Sequence, residues 1–332
     1  MELAPDILPP PLPDELLVIR NPVSANSHRA HRQITDLQER FPFSSIDVYP
    51  TLHDDELSSS ENHQANQQRV LDLLQERTNP NQPQARRLWL VIATGDGTIR
   101  DIGEALLGAD EAIRDVPILP LAGGNGNDLS SMVHGFWGKR RPAQQMGQAC
   151  IKPVHPLEWT FQQPDGSTKT RYAQSYGSVG ELVAKTAKEI DDVRGHSKLV
   201  HLVHEKVLGA KALVTATRTT VEERGSKHET VELIFSNGPR MAKFLRWDQK
   251  LHDPQFMRTE VIQNDRLHLA ASGIKMMLAK HRSTPVPDGN MVRFQTLTDT
   301  WVQLDGEATP LAAHSTVTVR RSPLSLNIVH LK

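Results

Sequence analysis

A chain of 332 residues is longer than most chains that fold around a single hydrophobic core, so its length predicts two domains. Its 38 Lys and Arg balance 39 Asp and Glu to a net charge of −1, so no global field attracts nucleic acid, and we expect no nucleic-acid partner. The single cysteine, Cys150, excludes an intramolecular disulfide and a thiolate metal cluster. No apolar stretch is long enough to span a bilayer and no signal-peptide pattern opens the chain, which predicts a cytoplasmic protein with at most peripheral contact to the inner face of the membrane.

The first half of the chain alternates apolar strands with amphipathic helices. Residues 1–13 are rich in proline and are predicted to form a flexible tail. Strands alternating with helices predict a mostly parallel sheet over residues 14–153. The predicted elements are strand Leu16–Arg20, helix His28–Phe41, strand Ile46–Thr51, a polar loop over Leu52–Asn62, helix Gln64–Arg77, strand Leu88–Thr94, a helix opened or capped by Thr98 and followed by Gly108, and strand Val116–Leu121.

After about Pro153 the pattern changes to short segments rich in Thr, Val and aromatic residues. Turn signals separate these segments, which predicts an antiparallel β domain over residues 154–321. One predicted helix, Ser197–Leu208, interrupts it, and residues 322–332 could return to the first domain. The predicted strands are Leu157–Phe161, Thr168–Tyr176, Ala212–Glu222, Thr230–Phe235, Leu267–Ala271, Met291–Leu297, Trp301–Leu304 and Ser315–Arg320.

The segment Leu88–Gly103 indicates a nucleotide-binding site. An apolar strand runs into Gly95-Asp96-Gly97-Thr98 and then into a helix, which places free backbone N–H groups and a helix dipole at one point, where phosphate binds. The P-loop pattern is absent, and the Gly95 and Gly97 pair lacks the third glycine of the dinucleotide fingerprint. A P-loop enzyme and an ordinary dehydrogenase are therefore disfavoured.

Three further polar clusters fall on predicted loops. Asn21–Asn26 follows the first strand, Gly123–Asp128 follows the fourth strand, and Asp305–Glu307 lies late in the β domain. Loops at the carboxyl ends of parallel strands form the crevice where α/β sheets bind ligands, so we expect the first two clusters to converge with the Gly95 turn. Each cluster, taken alone, also fits an ordinary turn.

In this order, the clusters resemble the diacylglycerol kinase catalytic-domain family, which includes bacterial lipid kinases and the sphingosine and ceramide kinases. The family pattern runs N-P-x-S-G, G-G-D-G-T, G-T-x-N-D and a late D-G-E. It occurs here as Asn21–Ala25, Thr94–Thr98, Gly124–Asp128 and Asp305–Glu307. The departures are Ala25, Thr94 and Asn125, which we interpret as tolerated variants.

The resemblance implies an α/β nucleotide domain like that of NAD kinases and phosphofructokinases, followed by an antiparallel β-sandwich. It implies ATP and Mg²⁺ as cofactors and transfer of the γ-phosphate to a lipid hydroxyl at a membrane surface, with diacylglycerol as the first expected acceptor. Asp305 would be the general base, with Asp96 as the rival candidate. The residues expected at the ATP site are Asn21, Ser24, Thr51, Gly95, Asp96, Gly97, Thr98, Gly124, Asn125, Asn127, Asp128 and Glu307.

The family also carries an acidic segment that binds a second, structural Mg²⁺ in the β domain. The aligned stretch here is Leu251–Met257, in which Asp253 is the one remaining ligand implied by the resemblance. Sphingoid bases or ceramide are alternative acceptors, and NAD kinase is an alternative enzyme. A nucleotide-binding protein without catalysis is a third alternative, and formation of a homodimer is left open.

Overall fold

The computed structural model describes residues 12–22, 24, 26–42, 44–52, 59–78, 87–124, 127–138, 149–184, 217–241, 245–246, 251, 253–261 and 281–331. These residues divide into two compact units. The first unit contains the described residues up to Val154 and from Ser325 onward, and the second contains those within His155–Leu324.

The first unit is an α/β domain built on one six-stranded sheet. The strand Leu88–Thr94 of this sheet is buried at all seven positions, because its sequence, LWLVIAT, carries apolar residues on both faces. The strands are β1 (Glu15–Arg20), β2 (Ser45–Pro50), β3 (Leu88–Thr94), β4 (Ile118–Ala122), β5 (Ala149–Val154) and β20 (Leu326–Leu331). The helices are α1 (Ser27–Arg40), α2 (Ser59–Thr78), α3 (Asp96–Leu107), α4 (Glu111–Arg114) and α5 (Asp128–Gly138).

The strand order of this sheet is β2-β1-β3-β4-β20-β5. The first four strands are parallel to one another, β20 is parallel to β4, and β5 is antiparallel to β20. The mostly parallel sheet predicted from the alternation of elements is therefore confirmed. Because β1, β3 and β4 are neighbours, the loops that leave their carboxyl ends lie side by side.

Two predicted boundaries in this unit are wrong. Helix α2 begins at Ser59, so the end of the predicted loop Leu52–Asn62 is helical, and the Asn62 carbonyl accepts the side-chain amide of Asn66 at 2.8 Å. Helix α3 begins two residues before Thr98, because Gly95 is extended, with φ −83° and ψ 168°, and occupies the N-cap position. Asp96 therefore lies in the first turn of α3.

The second unit is a β-sandwich of two six-stranded antiparallel sheets. One sheet has the order β10-β9-β16-β19-β6-β7 and the other has the order β15-β14-β11-β8-β17-β18, and β12 pairs with β13 in a separate ladder. The strands are β6 (Leu157–Gln162), β7 (Thr168–Ala173), β8 (Tyr176–Gly180), β9 (Thr219–Glu223), β10 (Ser226–Thr230), β11 (Glu232–Ser236), β12 (Arg240–Met241), β13 (Leu245–Arg246), β14 (Gln255–Val261), β15 (His281–Pro287), β16 (Met291–Thr296), β17 (Thr300–Leu304), β18 (Glu307–Leu311) and β19 (Thr316–Arg321).

Aromatic side chains join the two sheets of the sandwich. Trp159 of β6 meets Phe235 of β11 edge to face, with ring centroids 5.2 Å apart. Phe235 also stacks on Phe294 of β16 at 6.1 Å. All three rings are buried, and such pairs add roughly 0.5–1.5 kcal/mol beyond the burial of their area. The alternating apolar positions of the strands therefore form one core.

The strand predictions in this unit need three corrections. The predicted strand Thr168–Tyr176 is broken at Gln174 and Ser175, and the predicted strand Thr230–Phe235 is broken at Val231. No prediction covers β12, β13, β14, β15 and β18. The predicted helix Ser197–Leu208, the predicted strand Leu267–Ala271 and the first part of Ala212–Glu222 lie outside the described residues.

Glu232 is a fully buried carboxyl group at the start of β11. Its Oε2 accepts the backbone N–H groups of Leu182 and Val183 at 3.1 and 3.4 Å. A Cβ at Gly180 would lie 2.3 Å from the same oxygen. Burial raises the pKa of Glu232 to about 7, against the opposing effect of its hydrogen bonds. The folded protein therefore favours the protonated acid.

We expect Glu232→Gln to remove the loss of stability that wild type shows as the pH rises through 7. A pKa raised from 4.5 to about 7 means that stability is full below about pH 4.5 and declines as the pH rises through 7. The free energy of unfolding of the variant should therefore exceed that of wild type by roughly 3 kcal/mol at pH 8. At pH 5 the difference should be much smaller. Urea denaturation at both pH values measures this, with Glu229→Gln, an exposed carboxylate, as the control. Parallel pH profiles for wild type and Glu232→Gln would contradict the expectation.

Candidate active site

Side-chain hydrogen bonds join the loop after β1 to the loop after β4. Ser24 Oγ lies 2.9 Å from the Gly123 carbonyl oxygen, and Asn26 Nδ2 donates to the Gly124 carbonyl at 2.6 Å. The backbone N–H of Asn26 also donates to the Gly123 carbonyl. Asn26 is the last residue of the predicted cluster Asn21–Asn26, although it is not among the residues expected at the ATP site.

Two glycines let the loop after β4 approach the Gly95 turn. A Cβ at Gly124 would lie 2.4 Å from the Gly95 Cα, and a Cβ at Gly123 would lie 2.7 Å from the Ala93 carbonyl. Asn127 holds this loop closed, since its Oδ1 accepts the Gly124 N–H at 2.9 Å and its Nδ2 donates to the Gly124 carbonyl at 2.5 Å. The three loops therefore meet at one edge of the sheet.

The amino end of α3 is open where these loops meet. No side chain among the described residues caps this helix, because its N-cap residue is Gly95. A Cβ at Gly97 would have no atom within 4 Å, so the surface over the first turn is clear. Uncapped N–H groups at a helix start, under an open surface, fit a phosphate group. Thr98 belongs to the same turn and is half-buried.

Asp96 connects α3 to α5. Its Oδ2 accepts the backbone N–H of Asp128 at 3.2 Å, and its Oδ1 accepts that of Leu129 at 3.4 Å. Asp96 thus caps the first turn of α5, and the Asp128 carboxyl group beside it is buried. Carboxylates are oxygen donors of the kind that Mg²⁺ prefers. The donor set therefore fits a hydrated Mg²⁺.

The remaining predicted residues of the first unit lie at the ends of neighbouring strands. Asn21 follows β1, and its carbonyl accepts from Ser24 Oγ at 3.1 Å. Thr51 follows β2 and donates its backbone N–H to the Arg20 carbonyl at 2.8 Å. Both are half-buried, while Asn125 lies outside the described residues.

Two basic residues of α3 and α5 contribute little positive charge to these loops. Burial lowers the pKa of His134 in α5 to about 4, although its bond to the Pro120 carbonyl acts in the opposite direction. His134 is therefore neutral at pH 7. Arg100 of α3 is buried and forms an ion pair with Asp101, so its charge is compensated.

Asp305 lies in the second unit, at the tight turn between β17 and β18. It adopts φ 46° and Gly306 adopts φ 97°, a pair of left-handed residues typical of a two-residue hairpin. Its buried carboxylate accepts three backbone N–H groups, from Gln174 at 2.5 Å, Ser175 at 3.0 Å and Tyr176 at 3.1 Å. These bonds fix the orientation of the carboxylate.

Two other predicted residues lie elsewhere in the second unit. Glu307 begins β18 and pairs with Leu304 across the hairpin. Asp253 precedes β14 and is half-buried. Among the described residues, Asp253 belongs to no group of three potential metal ligands.

Comparison with protein families identifies the first unit. The model of the diacylglycerol kinase catalytic domain matches residues 15–159, which include the three converging loops. Residues 15–159 therefore resemble the diacylglycerol kinase catalytic domain. The resemblance is thereby confirmed for the part of the chain that contains the first three clusters. Curated protein sequences gave no match.

Solved structures of this kinase family and of an NADH kinase share the fold. A diacylglycerol kinase from Bacillus anthracis str. Sterne is 12% identical over 96% of this chain and 97% of its own, with a TM-score of 0.57. Yeast NADH kinase, solved with NADH, is 14% identical over 97% of this chain and 84% of its own, with a TM-score of 0.52. The predicted fold class, an NAD kinase-like α/β domain followed by an antiparallel β-sandwich, is confirmed. No helix among the described residues is long and apolar enough to cross a membrane.

Proposed function

We propose that this protein transfers the γ-phosphate of ATP to a lipid hydroxyl, with diacylglycerol as the first acceptor and phosphatidic acid as the product. The observation that carries the proposal is the open, uncapped start of α3 at Gly97, inside a segment that matches a diacylglycerol kinase catalytic domain. The open start of α3 favours a nucleotide as the phosphate donor. The match to a diacylglycerol kinase catalytic domain favours a lipid as the acceptor.

The residues of the first unit supply the nucleotide half of this reaction. The backbone N–H groups of Gly97 and Thr98 bind phosphate oxygens, and Gly124 keeps the neighbouring loop close enough to enclose them. Asp96 and Asp128 would hold Mg²⁺, which offsets charge on the phosphates when it is bound. Because Asp96 also caps α5, its first task is to position the loop after β4.

Asp305 supplies the general base in this proposal. Its Oδ1 accepts two of the three N–H groups and its Oδ2 accepts one, so Oδ2 is the oxygen proposed to take the proton of an attacking hydroxyl. A base held in one orientation saves the cost of ordering it during the reaction. Asp96 is the rival candidate, and its carboxylate accepts two backbone N–H groups at the start of α5.

A second candidate function is phosphorylation of NAD, favoured by the shared fold of yeast NADH kinase. The Asn21-Pro22 start and the late Asp305-Gly306-Glu307 favour a lipid kinase over this reading. A non-catalytic nucleotide-binding protein is disfavoured, because the carboxylates that chemistry requires, Asp96, Asp128 and Asp305, are all present.

Label transfer from γ-labelled ATP tests the proposal. The purified protein is incubated with Mg²⁺ and labelled ATP, and diacylglycerol, sphingosine, ceramide and NAD are offered separately. We expect label in phosphatidic acid. Label in a phosphorylated sphingoid base or ceramide would keep the lipid kinase and change the acceptor. Label in NADP would replace the proposal with an NAD kinase.

A further inference from the structure

The three loops that form the candidate nucleotide site contain no cationic side chain. Residues 21–26, 94–98 and 123–128 include two carboxylates, Asp96 and Asp128, but neither Lys nor Arg. The triphosphate of ATP carries several negative charges, and phosphate sites commonly place a Lys or an Arg beside the phosphates. A basic side chain must therefore come from a residue adjoining these loops.

Arg20 adjoins the loops after β1 and β3 through the sheet. It is the last residue of β1 and directly precedes Asn21. Its Cα is paired with Ala93 of β3, two residues before Gly95, and with Pro50 of β2, directly before Thr51. Arg20 therefore lies at the carboxyl end of a parallel strand, where α/β sheets bind ligands.

The guanidinium of Arg20 has an unused donor. The residue is half-buried, and its Nε is buried without a hydrogen-bond partner among the described residues. A buried N–H without an acceptor is costly, so an arginine at this position is best explained by an acceptor that arrives with a ligand. Two other basic groups near the loops are less suitable, since Arg100 is paired with Asp101 and His134 is neutral.

We propose that Arg20 binds the phosphates of the nucleotide. This inference rests on the proposed function, which places a nucleotide at these loops. The planar guanidinium offers several N–H donors in a fork that matches two phosphate oxygens. Arg20 is a binding residue in this account, and the N–H groups of α3 bind the phosphates beside it.

Calorimetric titration of Arg20→Met and Arg20→Lys tests the inference. The ligands are ATP, adenosine and inorganic tripolyphosphate, and Arg32→Met, an exposed arginine of α1, is the matched control. We expect Arg20→Met to weaken ATP and tripolyphosphate about 10- to 100-fold and to leave adenosine unchanged. Arg20→Lys keeps the charge but loses the fork, so its affinities should be intermediate. Arg32→Met should bind like wild type.

Stability adds a second readout. Methionine replaces a buried, unpartnered Nε, so the Tm of Arg20→Met should equal or exceed that of wild type. Equal ATP affinity in wild type and Arg20→Met would overturn the inference. An equal loss for ATP and adenosine would also overturn it, because the arginine would then act through packing.

The outcomes separate this inference from the proposed function. Tripolyphosphate that binds through Arg20 in a protein that labels no acceptor would support the inference and refute the kinase. Normal label transfer by wild type, together with wild-type ATP affinity in Arg20→Met, would support the kinase and refute the role of Arg20. Failure of wild type to bind ATP and tripolyphosphate would refute both.

Discussion

Gly97→Val is expected to abolish ATP binding and to leave the fold intact. A Cβ at this position meets no protein atom within 4 Å, so the valine side chain occupies the open surface where the phosphates are proposed to lie. We expect the Kd for ATP to rise at least about 100-fold, equivalent to about 2.8 kcal/mol. The Tm should stay level or rise slightly, because valine is a better helix residue than glycine.

Gly124→Ala is the matched comparison for this prediction. Its Cβ would lie 2.4 Å from the Gly95 Cα, so the backbone must move, which costs roughly 1–3 kcal/mol. This variant should lose several degrees of Tm, in contrast to Gly97→Val. Titration calorimetry and thermal denaturation of both variants provide the test. ATP affinity near wild type in Gly97→Val would refute the phosphate site at α3.

Asp305→Asn is expected to reduce kcat by about 100- to 10,000-fold with ATP affinity nearly unchanged. The amide cannot accept the proton of the attacking hydroxyl. The structure adds a second effect, because the carboxylate accepts the N–H groups of Gln174, Ser175 and Tyr176. An amide NH₂ group facing these donors loses at least one bond, so the Tm should fall as well.

Asp299→Asn controls for this loss of a backbone cap. Asp299 also accepts a backbone N–H, from Ala313 at 2.8 Å, but it is exposed and has no proposed part in the chemistry. Label transfer, measured well below the Tm of each variant, should be normal in Asp299→Asn and nearly absent in Asp305→Asn. Normal turnover in Asp305→Asn would remove this residue from the mechanism.

Apolar runs and helical spacing in the sequence predicted several strands and helices of the first unit. Strand β3 was predicted at its observed bounds, because an uninterrupted apolar run ends at a glycine turn. Helix α1 was predicted within one residue at each end, because its apolar residues repeat at helical spacing. The meeting of the three loops was expected from the order of elements, since parallel neighbouring strands end at one edge.

Features that depend on distant contacts could not be predicted. The pairing of β20 with β5 joins segments more than a hundred residues apart, and neither segment has a turn signal that reports its partner. The break at Gln174 and Ser175 arises because their N–H groups bind Asp305, far along the chain. The motif around Asp96 predicted a ligand for phosphate or Mg²⁺. It did not predict the bonds of Asp96 to α5, because these depend on where that helix packs.

The most direct test of the central claim is one competition reaction. Purified protein, Mg²⁺ and γ-labelled ATP are combined with diacylglycerol in detergent micelles and an equal concentration of NAD, and the labelled products are separated. The account predicts label in phosphatidic acid and none in NADP. Label in NADP alone, or label in neither product while ATP is bound, would contradict it.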